Sequence, residues 1–465
     1  MRGRTPEGVD ERRTRGSVDL IHGPIMKPLV LFMLPLLLSN AFQSLYNAVD
    51  TAIVGNFLGE HSLAAVGACS SVFDLMVGFC SSLAVGFSLV ASRYFGMEDE
   101  ERMRKAVAGS LLIGGASTAA LTLAAVTGMR PLMRLIHTPE GLFGEAYRYI
   151  LILAAALPVT FAYNLLSAML RSIGNSLIPL LFLILSSGLN VVLDILFITR
   201  FGTGVEGAAA ATVIAQGIST VLCLLYILLR VRILIPAKRH FRPERLMLVQ
   251  LAGQGFSMAF MGSIVNIGTV TLQSGINTLG TDVISGHVAA RKIMSLFTLP
   301  LFSMCLALST FVSQNYGAGR MDRVERGIRY TWIYSLAVGL AEVLILTFAA
   351  HPLVMLISGS GKAAILGNGT AYLRFASLFF PVLGVLINTR NALQGLQMKL
   401  TPLVSSAIEL VGKVLFTWLL VPPFGYTAVI VCEPVIWCVM CLQLVWVYRK
   451  KLRILKANGV PAAAD

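Results

Sequence analysis

Long apolar stretches alternate with short polar or charged breaks along nearly the whole chain. Each stretch has roughly 20 or more residues with few charges, enough to cross a hydrocarbon core about 30 Å thick. Lipid offers the backbone no hydrogen-bonding partner, and the alternating pattern of a transmembrane barrel is absent, so each stretch is predicted to be a helix. The predicted spans are 28–57, 62–91, 105–128, 146–170, 176–199, 205–229, 249–278, 283–312, 327–350, 369–396, 401–421 and 426–448. The pattern therefore predicts an all-α polytopic membrane protein with twelve transmembrane helices.

Composition agrees with a membrane protein and excludes several other classes. Of the 465 residues, 56% are hydrophobic and 13% are charged, whereas soluble domains carry about a quarter charged residues. A soluble enzyme, a nucleic-acid-binding module and a disordered scaffold are therefore not expected. With both termini assigned to the cytoplasm, the inner segments hold 27 Lys and Arg residues and the outer segments hold 5. The positive-inside rule supports this orientation, which accounts for most of the net charge of +14 without a nucleic-acid partner.

The second half of the chain repeats the first. Both halves share a polar loop after the second span, and two prolines lie 21 residues apart in each half. The paired residues include Gly59 with Gly280, Ser92 with Ser313, Gly96 with Gly317, Pro158 with Pro381 and Pro179 with Pro402. A duplicated bundle of six spans is typical of secondary transporters, which move two lobes about a central cavity.

The repeat predicts two pseudo-symmetric six-helix lobes around a central cavity. The predicted organisation is a cytoplasmic N-terminal tail at 1–27, an N-lobe at 28–229, a cytoplasmic linker at 230–248, a C-lobe at 249–448 and a cytoplasmic C-terminal tail at 449–465.

Polar side chains from three spans of the N-lobe fall in one layer of the membrane. At ~1.5 Å per helical residue, Asp50, Asp194 and Thr212 lie about 8 to 11 Å from the outer end of their helices. Asn190 lies one turn from Asp194 on the same helix face. Two carboxylates, an amide and a hydroxyl are oxygen ligands suited to a hard cation, or they form a proton-accepting pair. A purely structural hydrogen-bonded cluster is the alternative interpretation.

Four segments resemble the MATE (multidrug and toxic compound extrusion) transporter family, and especially the branch of the DNA-damage-inducible protein F. The resemblance extends over about 28–448. The segments are PLLLSNAFQSLYNAVDTAIVGNFLG at 35–59, LPVTFAYNLLSAMLRSIGNSLIP at 157–179, LNVVLDILFI at 189–198 and GVEGAAAATVIAQ at 204–216. Through this resemblance, Asp50, Asn190, Asp194 and Thr212 match a cation site for Na⁺ or H⁺, and no other cofactor is implied.

The same resemblance implies roles for four more residues. Gln43, Tyr46 and Asn164 would line the substrate cavity of the N-lobe, and Pro35 would be the bending point of the first helix. The other bacterial branch of the family carries acidic residues on its seventh and tenth helices. The corresponding stretches of this chain, 262–275 and 380–391, contain none. Ion coupling through a pair of acids in the C-lobe is therefore not expected.

The repeat makes a separate prediction for the C-lobe. It pairs Asn190 with Lys413 and Thr212 with Glu433, both about 11 to 12 Å from the outside on the helical rise. Lys413 and Glu433 are predicted to form a buried ion pair in place of the cation site. The alternative is that Lys413 pairs with Glu409, one turn away on its own helix. Arg291 lies near an outer helix end, where its side chain is expected to reach the interface.

The sequence thus predicts a cation-coupled antiporter that exports organic, often cationic or amphipathic, compounds by alternating access. The alternative is a lipid-linked oligosaccharide flippase of the same superfamily. An intramembrane enzyme is not expected, because no set of catalytic residues is present. The expected partners are small organic molecules and the lipid bilayer. The expected state is a monomer in the bacterial cytoplasmic membrane with both termini inside.

Overall fold

The computed structural model describes residues 16–458, and its side chains through residue 455. Within this range, nine helices are long and apolar enough to cross a membrane, and three bent helix pairs bring the number of candidate spans to twelve. Each predicted span coincides with one helix or bent pair, except that the fifth span also includes a π-helical turn and the eleventh includes a π-helical turn and a short helix after it. The helices are α1 Met26–Leu58, α2 Glu60–Gly96, α3 Glu100–Leu135, α4 Glu140–Ala155, α5 Leu157–Ser172, α6 Leu177–Ile195, α7 Gly204–Arg230, α8 Arg245–Asn277, α9 Thr281–Phe297, α10 Leu299–Gly317, α11 Met321–Ser358, α12 Ala363–Ser377, α13 Phe380–Gly395, α14 Leu400–Leu415, α15 Val421–Phe424 and α16 Tyr426–Asn458.

The predicted tails lie partly outside this description. Residues 1–15 and 459–465 fall outside the described residues, whereas α16 continues through the first ten residues of the predicted C-terminal tail.

Proline explains where the three bent spans break. The angles are 46° between α4 and α5, 45° between α9 and α10, and 56° between α12 and α13. The second helix of each pair begins with a proline in its first turn, at Pro158, Pro300 and Pro381 respectively. Proline has no N–H to donate to the preceding turn, so it interrupts the hydrogen-bond ladder but suits a new helix start.

The internal repeat is visible in local backbone geometry. Gly59 and Gly280, paired in the sequence, precede α2 and α9 with φ of 86° and 96°, a region where glycine avoids the strain of a side chain. A π-helical turn follows α6 at Leu196–Arg200, and a second follows α14 at Phe416–Leu420. The two halves therefore share backbone irregularities as well as apolar pattern.

The described chain divides into two compact units, and two of the three divisions fall inside helices. Unit 1 contains Leu34–Ala259 with the residues before Leu20, and unit 2 contains Leu20–Met33 and Phe260 onward. The predicted linker 230–248 therefore groups with unit 1. Lys105 of α3 donates a hydrogen bond of 2.8 Å to Glu244 of the linker, and this bond lowers the pKa of the Glu244 carboxyl.

An arginine holds the N-terminal segment within unit 2. Arg323 is 6% exposed, and its guanidinium donates to the carbonyl oxygens of Gly23, at 2.6 Å, and Leu20, at 3.3 Å. Asn315 donates to the same Leu20 carbonyl at 3.0 Å. Backbone carbonyls before α1 are thereby satisfied by side chains of helices far along the sequence.

Glycine allows α9 and α12 to approach closely in unit 2. A Cβ placed on Gly369 would lie 2.7 Å from the Gly286 carbonyl oxygen and 2.7 Å from a Val354 methyl group. A Cβ placed on Gly367, two residues earlier on α12, would meet nothing within 4 Å. Small residues at helix interfaces are common in membranes, where close packing drives helix association.

We expect Gly369→Ala to destabilise the protein by about 1–3 kcal/mol, since the added methyl group meets the backbone of α9. Gly367→Ala is the matched control and should leave stability unchanged or slightly higher. Thermal unfolding of the purified proteins in one detergent measures both. Equal midpoints for Gly369→Ala and Gly367→Ala would contradict the close approach.

Candidate functional site

The four residues of the predicted cation site come from three helices of unit 1. α1 carries Asp50, α6 carries Asn190 and Asp194, and α7 carries Thr212. Asp194 is completely buried and Asn190 is 1% exposed, while Asp50 and Thr212 are partly buried. The π-helical turn after α6 begins two residues beyond Asp194. Such turns often lie next to functional sites because they change the direction of nearby side chains.

The structure brings these side chains together. Asn190 Nδ2 donates a hydrogen bond of 3.3 Å to Thr212 Oγ1, which links α6 to α7. The Tyr46 hydroxyl lies 3.4 Å from the same oxygen and links α1 to both. The carboxyl groups of Asp50 and Asp194 lie close enough to interact electrostatically. We call Asp50, Asn190, Asp194 and Thr212 the oxygen cluster.

Several oxygens of this cluster lack a donor. Both carboxylate oxygens of Asp194, Oδ1 of Asp50 and Oδ1 of Asn190 are buried and accept no hydrogen bond from the described residues. Buried polar atoms are normally paired, because an unpaired one loses its hydration without compensation. Four acceptors with no donor suit a small cation or protons. The described residues contain no group of three or more His, Cys, Asp or Glu side chains placed to hold a metal.

The other N-lobe residues implied by the resemblance lie around α1 and α5. Gln43 is exposed and donates to Asn47 Oδ1 on its own helix at 3.2 Å. Asn164 is partly buried and donates to the Thr160 carbonyl at 2.8 Å. Pro35 lies inside α1, two residues after Met33, where the chain passes from unit 2 to unit 1.

In unit 2, the two residues predicted as an ion pair lie close together. Lys413 Nζ is 3.4 Å from Glu433 Oε1 and 2.9 Å from Glu409 Oε1. Its third partner is Thr269 Oγ1, at 3.2 Å. Lys413 is 2% exposed and Glu433 is 5% exposed. The contact across helices and the contact within α14 are therefore both present.

Arg291 belongs to the same group of charged residues, which the sequence did not predict. Its Nη1 lies 2.7 Å from Glu433 Oε2, and Tyr372 donates to that oxygen at 2.8 Å. The expectation that Arg291 only reaches toward the interface is wrong, because a buried carboxylate on α16 holds its guanidinium. We call Arg291, Glu409, Lys413 and Glu433 the ion network.

Sequence comparison finds relatives over most of the chain. The probable multidrug resistance protein YpnP of Bacillus subtilis (strain 168) is 28% identical over 370 residues, which cover 79% of this chain and 82% of the relative. The probable multidrug resistance protein NorM of Thermotoga maritima is 24% identical over 400 residues, which cover 83% of each protein.

Solved structures agree with the fold. A crystal structure of a MATE protein in the bent conformation matches with a TM-score of 0.89 and 25% identity, covering 96% of this chain and 99% of that one. An outward-facing multidrug resistance MATE family transporter of the MOP superfamily matches with a TM-score of 0.87 and 25% identity, covering 96% and 100%. The predicted fold class, an all-α membrane protein with twelve spans, is confirmed.

The family model supports both the repeat and the resemblance seen in the sequence. The MatE model matches the chain twice, at residues 35–196 and 257–419, once in each half. Because these matches cover well over half of the chain, the protein belongs to the MATE family.

Proposed function

We propose that this protein is a cation-coupled antiporter that exports organic, often cationic or amphipathic, compounds. The observation that carries the proposal is the oxygen cluster, in which the buried carboxylate of Asp194 and one oxygen of the partly buried Asp50 have no hydrogen-bond donor among the described residues. The names of its relatives, which describe multidrug resistance proteins, support small organic substrates. They favour an exporter over an oligosaccharide flippase.

The proposed coupling step is binding of Na⁺ or H⁺ to the oxygen cluster. A bound ion drives transport only if it binds one conformation more tightly than the other. Asp50 is on α1 and Asp194 is on α6, so a cation or proton shared by them stabilises the conformation in which the two helices are close. Pro35 is the proposed bending point, since proline weakens the hydrogen-bond ladder of α1.

Tyr46 offers a physical link between ion and substrate. Its hydroxyl contacts Thr212 of the oxygen cluster, and it lies on the same helix as Gln43. With Asn164 on α5, these side chains form the proposed lining of the substrate cavity. Movement of α1 on ion binding changes the position of Gln43 and Tyr46, which reduces the affinity for substrate in the ion-bound state.

The ion network is proposed to be a fixed counterpart of the oxygen cluster. Its two carboxylates already have the cations Lys413 and Arg291 within 2.9 Å. A mobile ion therefore has no uncompensated acid to bind within the ion network, which favours coupling at the oxygen cluster.

The proposed location is the bacterial cytoplasmic membrane, with both termini in the cytoplasm and the protein acting as a monomer. The excess of Lys and Arg in the segments assigned to the inside supports this orientation.

We expect Asp50→Asn to reduce ion-driven efflux by roughly tenfold or more, because the ion loses its preference between conformations. Transport is measured in everted vesicles as gradient-driven uptake of a fluorescent cationic dye. A Na⁺ gradient and a pH gradient are imposed separately, and the gradient that drives uptake identifies the coupling ion. Asp194→Asn should give the same result.

The control is Asp282→Asn, which removes an acid that is 43% exposed in unit 2. Its efflux should equal that of the wild type at the same amount of protein in the membrane. If Asp50→Asn transports the dye as well as the wild type does, the proposed site is wrong. If the wild type transports the dye under neither gradient, the antiporter proposal is wrong.

We expect Lys413→Met and Glu433→Gln to be strongly coupled in a double-mutant cycle. Each single change removes the direct contact between the two residues, but Arg291 still compensates Glu433 and Glu409 still compensates Lys413. The coupling should therefore be about 1–3 kcal/mol, as for charged groups in one buried network. The free energy of unfolding in detergent measures the four proteins.

The matched control cycle uses Lys362→Met and Asp282→Asn, an exposed pair separated by 3.7 Å. Its coupling should be at most about 1 kcal/mol, as for surface ion pairs. Equal coupling in the two cycles would sink the idea of a buried interhelical pair. A simple charge swap is unsuitable, since a lysine at position 433 would face Arg291.

A further inference from the structure

A second polar cavity lies inside unit 2, apart from the oxygen cluster. It has a volume of about 250 Å³, and its charged lining consists of Arg291, Arg390, Glu409, Lys413 and Glu433. A neighbouring cavity of about 280 Å³ shares Arg291 and Glu433 with it. These volumes approach the lower end of the range found for ligand pockets.

The charges that line the 250 Å³ cavity do not balance. Three cations and two carboxylates line it. Glu433 contacts Arg291 and Lys413, and Glu409 contacts Lys413, so both acids are compensated within the ion network. The remaining charge is Arg390 on α13.

Arg390 has donors that nothing in the described part of the chain satisfies. Its Nε and Nη1 are buried and make no hydrogen bond to a described residue. Buried donors without an acceptor are costly, and the planar donors of a guanidinium match the two oxygens of a carboxylate or phosphate. The cavity therefore presents a positive group that has no matching anion among the described residues.

The remaining lining determines what kind of anion fits. Apart from a few hydroxyl groups, the wall is apolar and contains the side chains of Phe302, Trp437 and Met440. An inorganic ion would leave these surfaces uncovered, whereas an acidic group joined to an apolar chain would cover both parts.

We propose that this cavity binds an amphipathic anion, with its carboxylate or phosphate on Arg390 and its apolar chain against Phe302, Trp437 and Met440. This goes beyond the proposed antiport, since the oxygen cluster takes a cation and lies in the other unit. Single-chain lipids and acidic organic compounds share the required chemistry.

Equilibrium binding of tritiated decanoate to the purified protein in phosphatidylcholine nanodiscs tests the proposal, with empty nanodiscs subtracted. Decanoate and decyl phosphate should each bind roughly tenfold or more tightly than decanol, the order expected for a hydrogen-bonded ion pair. A preference between the two anions distinguishes a carboxylated compound from a phosphate head group. Acetate and inorganic phosphate, which lack the chain, should compete poorly.

Arg390→Gln should remove the preference for decanoate over decanol, while Arg390→Lys should retain part of it. The matched control is Arg374→Gln, which changes an exposed arginine of unit 2 outside the cavity and should bind as the wild type does. If Arg390→Gln does not fold, the test is whether Arg390→Lys has a smaller preference for decanoate over decanol than the wild type has.

Equal affinities for decanoate and decanol in the wild type, or an unchanged preference in Arg390→Gln, would overturn the proposal. Competition by acetate as strong as that by decanoate would overturn the amphipathic assignment. The assay requires no transport, so its result is independent of whether the antiporter proposal holds.

Discussion

Uncompensated charge in hydrocarbon is the constraint on which both polar sites of this protein depend. Each carboxylate within the membrane needs a cation, a proton or a strong donor close by, because water is scarce there. The two units meet this need differently. In unit 2, Lys413 and Arg291 compensate Glu433 permanently, whereas in unit 1 Asp194 has two buried oxygens without a donor. Under the proposed function, the cation or proton that compensates Asp194 comes from solution.

The repeat makes this difference informative. Both halves have a π-helical turn after the helix that carries the key polar residues, and both match the same family model. The two halves therefore share a scaffold but differ in chemistry. In the internal repeat, Lys413 occupies the position equivalent to Asn190, and Glu433 occupies the position equivalent to Thr212. Two uncharged polar residues of unit 1 thus correspond to a contacting pair of charged residues in unit 2. Symmetry of the backbone does not imply symmetry of function.

Sequence reasoning located the spans because hydrophobicity alone determines which segments enter a membrane. It also grouped the oxygen cluster, since depth in a helix follows from residue count and the family resemblance matched the same four residues. It missed Arg291 because depth gives no information on which neighbouring helix a long side chain faces. It could not place the division between units, because Met33 and Ala259 lie within continuous apolar helices.

Arg390 extends the same physical argument to the opposite charge. If carboxylates without cations indicate a site for a cation, a guanidinium without an anion indicates a site for an anion. Its position on α13, beside an ion network that is already balanced, gives the cavity a net positive charge that the protein does not neutralise itself. Under the two proposals, the oxygen cluster in unit 1 takes a cation and the cavity beside Arg390 in unit 2 takes an anion. An amphipathic compound with one acidic group would then bind in this cavity without competing for the cation of the oxygen cluster.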